Sequence, residues 1–409
     1  MNVARQLRAR LVVWVVLGCG VVAALQLGKA AIATPLLQAD LGVDLAGAGW
    51  LTGIFAVLGL LGGAAAGAVV AAVGDRRALL LGLGVTAVAG VAGAAAPSFA
   101  LLLISRLLEG LGFLLIIVAG PAILERLTTG AARDSAFSLW SCFMPSGMAL
   151  AMVAGPLFQT WQGLWWTGSA VAVIAAMAVG CCVPAGVSSG MPGRLLGNIR
   201  RVLFSRASVL LAVGFALYSL MFFALFSFLP VLLMERMDIS YRIAGLLSAL
   251  ASVVNVSGNL AAGYLVTRGA GRGSLILLAS GVMGASGIGI FLGWFEPQAT
   301  FLLCLLFSAV GGLIPATLLA SAPLAARETF LVPIAVGLMM QGSNLGQLLG
   351  PVVVGGVTAA FGWNAAGPVV LLAALAAGVT ALLLPAALQR SEPAKEGSSG
   401  RSRSGDVQY

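Results

Sequence analysis

Residues 67–77 read GAVVAAVGDRR, and residues 263–272 read GYLVTRGAGR. Each is an apolar run that ends in glycine and arginine. The two begin 196 residues apart, and Arg76 and Arg272 share that offset. The Gly155–Pro156 pair recurs at Gly350–Pro351, 195 residues on. Matches at nearly one offset, in corresponding segments, indicate two related units of about half the chain each. Chance similarity among glycine-rich helices is the competing explanation.

Composition names the solvent of those units. Of 409 residues, 60% are hydrophobic and 9% are charged. A soluble domain is about 45–50% apolar and about 25% charged, so lipid is the medium that fits. The 55 glycines agree, because small residues let membrane helices approach closely. Cys19, Cys142, Cys181, Cys182 and Cys304 all fall in apolar stretches and read as buried thiols. There is no histidine, which removes imidazole metal ligands and histidine acid–base chemistry. No metal site and no cofactor is expected.

Apolar stretches of spanning length cover residues 11–35, 47–72, 78–96, 99–124, 136–158 and 164–186, then 208–234, 243–266, 274–294, 299–326, 332–360 and 366–388. They are called spans 1 to 12 below. The first is too long for a secretory signal and lacks a clean cleavage site. With the N-terminus in the cytoplasm, 18 of the 22 lysines and arginines lie inside, among them Arg76, Arg77, Arg126, Arg133, Arg194, Arg268, Arg272, Arg327, Arg390 and Lys395. Only Arg236 and Arg242 fall outside, and Lys29 and Arg106 lie within spans. A wrong span count would scramble this alternation. The bias points to twelve spans, a multi-pass inner-membrane protein and two cytoplasmic termini. The net charge of +9 then reflects topology and not a nucleic-acid partner. Four pieces are expected: a six-helix half over 1–186, a cytoplasmic central loop over 187–207, a second half over 208–388, and a disordered cytoplasmic tail over 389–409.

These motifs resemble the major facilitator superfamily along nearly the whole chain. The family's loop pattern GxxxDRxGRR is matched at Gly67, Gly74 and Arg76, with Arg77 following. Ala71 and Ala72 stand where Asp and Arg are usual, and Asp75 where an Arg is usual. The second copy keeps Gly263, Arg268 and Arg272, with Thr267 at the Asp position. In span 4, Arg106, Gly110 and Gly112 match R-x-x-x-G-x-G. Span 11 reads GSNLGQLLGPVVVGG and span 5 reads GMALAMVAGP, which lacks the trailing glycine pair of the antiporter pattern. The stretch SLWSCFMPSGMALAMVAGP and span 11 also look like the cyanate/nitroimidazole permease-like branch. The resemblance implies an all-α membrane fold of two pseudo-symmetric six-helix bundles, monomeric, with a substrate site between them. It implies gating at Gly67, Asp75, Arg76, Arg77, Arg268 and Arg272, and at the bends Gly155, Pro156, Gly350 and Pro351. For each Gly-Pro pair, a helix bend with close packing is the simpler alternative.

Charges inside the membrane carry the functional clue, because each costs about 2.5–3.5 kcal/mol or more unless it faces a cavity or a partner. Lys29 stands about 6 Å from the outer end of span 1, and Arg106 about 10 Å deep in span 4. Glu109 shares a helix face with Arg106. The resemblance, not the spacing, brings Lys29 near that pair, since spans 1 and 4 line the cavity in this fold. Lys29 with Arg106 is expected to bind an anionic substrate group, and Glu109 to take up and release a proton. The alternatives are snorkelling for Lys29 and a structural ion pair for Arg106–Glu109. Further lining is expected from Gln26, Trp140, Asn255, Asn259, Gln341 and Asn344, against the alternative of interhelical hydrogen bonds.

The function that fits is proton-coupled secondary transport of a small organic, anionic solute by alternating access. Its partners are that solute, the proton and the bilayer. A proton-driven efflux permease for a drug, siderophore or other metabolite is the alternative, and a channel is a remote one. In exporters of cationic drugs that resemble this family, span 1 commonly carries an acidic residue. Lys29 stands there instead, which disfavours cationic drugs. An enzyme would need convergent nucleophiles or metal ligands, and no G-x-x-x-x-G-K-[ST] sequence exists to bind ATP.

Overall fold

A computed structural model describes residues 3–129, 136–137, 139–140, 142–186, 200–326 and 331–389. Residues 187–199 of the expected central loop and 390–409 of the expected tail lie outside the described residues, as do Arg133, Arg194, Arg327 and Arg390. Among the described residues every regular element is helical, as lipid demands of a backbone that must satisfy its own hydrogen bonds. Eleven helices among them are long and apolar enough to cross a membrane. The span 5 helix, Phe143–Leu157, is shorter.

Side-chain caps mark where helices begin. Asp44, Ser98, Thr160, Ser205 and Ser240 each accept a hydrogen bond from a backbone N–H of the first turn. Gly74, at φ +93°, separates spans 2 and 3, and Gly362, at φ +79°, ends span 11. Positive φ at these two corners costs glycine little.

Three spans differ from the continuous helices expected. Span 2 is Leu45–Gly53 and Val57–Val73, joined by a 3-10 turn over Ile54–Ala56. That turn carries the Phe55 carbonyl against Gly110 of span 4, where any Cβ would collide. Span 7 ends at Phe226, and a separate short helix, Leu229–Met237, completes it. Span 10 is Pro297–Gly311 and Leu313–Ala326. At that break Gly312 lies against the backbone of Asn255 and Gly258 in span 8. The breaks in spans 2 and 10 therefore place backbone directly against a neighbouring helix.

The packing repeats with a shift of six spans. Span 1 packs on span 5 and span 6, and span 7 on span 11 and span 12. Span 3 packs on spans 4 and 6, and span 9 on spans 10 and 12. The result is two pseudo-symmetric six-helix bundles. Between the bundles, span 2 meets span 11 and span 5 meets span 8. The Gly-Pro pairs sit at these junctions. Gly155 packs on Ile32 of span 1, and Pro156 on Gly245 of span 8. Gly350 packs on Leu220 of span 7, and the Pro351 carbonyl on Gly49 of span 2.

Hydrogen bonds between the bundles run from the far face, opposite the chain ends, to mid-depth. Tyr241 donates to the Ile32 carbonyl at 2.8 Å, Ser252 to the Pro145 carbonyl at 3.2 Å, and Gln341 to the Leu60 carbonyl at 3.2 Å. Toward the face that carries the chain ends, a Cβ added at Gly67, Gly263 or Gly337 would meet nothing within 4 Å.

Candidate functional site

Lys29, Arg106 and Glu109 come together inside the first bundle, and all three are fully buried. The Lys29 Nζ donates to Glu109 Oε1 at 2.6 Å. Arg106 Nη1 donates to Glu109 Oε2 across one helical turn. Arg106 also ties spans together through their backbones: Nη1 donates to the Gln26 carbonyl at 2.8 Å and Nε to the Leu51 carbonyl at 3.2 Å. Its guanidinium stacks 4.5 Å from the Phe55 ring centroid. The Lys29 ammonium lies 4.7 Å from the Trp165 ring centroid. Two cations share one carboxylate, so the cluster carries a net charge of +1 in an apolar surround.

The cluster keeps unused hydrogen-bonding capacity. Arg106 Nη2 and Trp165 Nε1 are buried donors without a partner in the protein, and Gln26 Oε1 is a buried acceptor without one. Gln26 donates through Nε2 to the Gly168 carbonyl at 3.3 Å.

The other expected lining residues are engaged in packing in this conformation. Trp140 is buried, lies against Gly20 of span 1 and Gly120 of span 4, and stacks near Phe143. Asn255 donates to the Ser308 carbonyl of span 10 at 2.9 Å, and Asn259 donates to Asn255 Oδ1 at 2.9 Å. The Tyr218 hydroxyl is within hydrogen-bonding reach of Asn255. Gln341 and Asn344 face span 2, against Gly63 and Gly59. Asn255 and Gln341 bond across helices, whereas Asn259 donates to Asn255 and Asn344 to the Met340 carbonyl within their own helices.

Of the expected gating residues, Asp75 is held by Arg126, which donates to its two carboxylate oxygens at 2.6 and 3.2 Å. Arg126 also donates to the Pro184 carbonyl at 3.1 Å, and Arg76 to the Gly180 carbonyl at 2.7 Å. These contacts tie the span 2–3 loop to spans 4 and 6 of its own bundle. In the second copy Arg268 lies 4.4 Å from the Tyr264 ring centroid, and Arg272 Nε is buried without a partner.

Sequence reading missed Trp165, Phe55 and Arg126. Trp165 had one signal, since it shares a face of span 6 with Gly168 and Ser169. Phe55 had none, because the 3-10 turn that aims it forms only against Gly110.

Two repeated bundles of membrane-spanning helices, with a buried charged cluster inside the first, define a multi-pass membrane protein. The chain belongs to the major facilitator superfamily, whose model matches residues 16–331. It is similar to a 3-(3-hydroxy-phenyl)propionate transporter of Escherichia coli (strain K12), 30% identical over 262 residues, which is 60% of this chain and 62% of that one. The chain therefore matches less than two thirds of that relative's length. In fold it is similar to a D-xylose-proton symporter, with TM-score 0.69, 16% identity, and 90% and 96% of the two chains covered. It is also similar to a bacterial homologue of the human lysosomal transporter Spinster in an inward-facing and occupied conformation. There the TM-score is 0.68 at 18% identity, over 92% and 95% of the chains.

Proposed function

We propose that this chain is a proton-coupled secondary transporter of a small organic anion. The carrying observation is the buried cluster with one carboxylate and two cations. Protonation of Glu109 removes the only counter-charge within it and leaves two buried cations. Such a state is costly unless an anion enters. A proton and a monovalent anion together restore the original charge of +1. Each therefore favours binding of the other, which is the requirement for coupled movement. The unpartnered donors Arg106 Nη2 and Trp165 Nε1, with Lys29 once it is released, offer three sites for an anionic group. The Escherichia coli relative is a transporter of a propionate, a carboxylate. That chemistry agrees with the reading and makes an aromatic carboxylate the first compound to try.

The two bundles act as the moving bodies, with boundaries near 1–186 and 208–388. The lysine and arginine bias supports cytoplasmic termini and residence in the inner membrane. With that orientation, the terminal face, where a side chain added at Gly67, Gly263 or Gly337 would meet open space, is the inward one and is open in this state. Closure there and opening at the far face would complete the cycle. The direction of net flux is then set by the gradients.

Purified protein in liposomes tests the coupling. An imposed pH gradient is expected to drive saturable accumulation of 3-(3-hydroxyphenyl)propionate or a related aryl carboxylate, abolished by an uncoupler. Glu109→Gln is expected to retain exchange of labelled for unlabelled solute and to lose gradient-driven accumulation. Intact accumulation by Glu109→Gln removes Glu109 as the coupling site.

A further inference from the structure

The terminal end of span 3 carries two cavities that share Val73 and Arg77 and lie apart from the charged cluster. The first, about 290 Å³, is lined by Gly74, Arg76 and Arg77 with Ala185 and Gly186. The second, about 750 Å³, is a groove between spans 3 and 4. Leu81, Gly84, Val85 and Val88 line one side, and Leu108 and Leu111 the other. Arg77 is the one charged residue of the groove and stands at its terminal end.

We propose that these two cavities form one binding site for an anionic phospholipid, the phosphate held by Arg76 and Arg77 and an acyl chain in the groove. The dimensions fit one leaflet. From Arg77 to Val88 the helix rises about 16 Å, and half the hydrocarbon thickness is about 15 Å. A headgroup at Arg77 thus places its chain from the interface to the midplane. The charge fits as well. Asp75, the nearest acid, is already held by Arg126 through both oxygens. Among the described residues no carboxylate forms a salt bridge with Arg76 or Arg77. Arg76 is anchored on the Gly180 carbonyl and keeps a buried Nε without a partner. Guanidinium groups suit a phosphate through paired N–H donors. The groove floor is open at Gly84, where a Cβ would meet nothing within 4 Å. An acyl chain fills that space, and a soluble anion has no use for it.

The test uses the full-length protein, delipidated in detergent and examined by native mass spectrometry. Phosphatidylglycerol, phosphatidylcholine with the same chains, and inorganic phosphate are added in turn. Phosphatidylglycerol is expected to be retained in preference to phosphatidylcholine. Arg77→Ala is expected to lower that retention about fivefold, the effect of one basic residue at a membrane surface. Gly84→Trp, whose Cβ enters open space, fills the groove and is expected to lower retention of both lipids. Three outcomes overturn the proposal: equal retention of the two lipids by the unaltered chain, unchanged phosphatidylglycerol retention in both variants, or displacement of the lipid by inorganic phosphate, which would make the cavity a soluble-anion site.

Discussion

At the scale of residues, the Lys29–Glu109–Arg106 cluster is unequal in its members. Glu109 is the only negative charge, and Arg106 also satisfies the carbonyls of Leu51 and Gln26. Lys29 makes one ion pair and lies over one ring. Removing Glu109 leaves two buried cations, and breaking a buried pair in this way costs about 3–5 kcal/mol. Removing Lys29 leaves a neutral Arg106–Glu109 pair. Glu109 then keeps Arg106 as its partner, no buried charge is left unpaired, and the desolvation cost of the third charge is relieved. Thermal unfolding in detergent is therefore expected to rank Glu109→Ala as strongly destabilising and Lys29→Met as neutral or stabilised. That ranking marks the Lys29 charge as kept for transport. Equal losses in the two variants would assign Lys29 a structural role instead. The three charges were legible in the sequence because charged residues within apolar spans are rare. Their partners were not, because Trp165, Phe55 and the two carbonyls reach the cluster from other helices.

Elements meet here through missing side chains. Gly110 receives the Phe55 carbonyl, Gly258 the Ala309 carbonyl, and Gly342 the Ala212 carbonyl. Without a hydrophobic drive between helices in lipid, such close approach is what holds them. Gly110→Ala is expected to push span 4 off the span 2 turn, with a lower unfolding temperature and lost transport. Gly18→Ala, facing open space on the same bundle, is expected to change neither by more than about 0.5 kcal/mol. Comparable losses in both would show that the close contact at Gly110 is not what sets the effect, since helix propensity alone favours Ala at either position. The twelve apolar stretches were readable because the bilayer fixes their length. The breaks near residues 54–56, 227–228 and 312 were not, since each depends on what a neighbouring helix presents. The roles of Gln341 and Asn344 escaped for a related reason. A helix apolar on every side has no periodicity to say which face looks toward a partner.

For the whole molecule, the repeat was written in the sequence, while the conformation was not. One sequence must support at least two arrangements of the same bundles, so no motif can specify which is occupied. The structure has its bundles joined through spans 2 and 11 and spans 5 and 8 toward the far face. Alternating access requires those contacts to break in each cycle. Their strength is accordingly limited, since moving a two-state equilibrium from 1:99 to 99:1 takes about 5.5 kcal/mol. A covalent bond at the same place exceeds that limit. At Gly53 a Cβ would lie 2.9 Å from Val352 Cγ2 across the junction. In a background lacking the five native cysteines, Gly53→Cys with Val352→Cys is expected to form a disulfide on oxidation and abolish exchange transport, with recovery on reduction. A third cysteine at Gly337, where a side chain meets open space, is expected to stay reactive toward a membrane-impermeant thiol reagent from the terminal side while the lock is closed. Transport that continues through the locked state would show that the far-face junction is not a gate, and the alternating motion would have to lie elsewhere in the bundles.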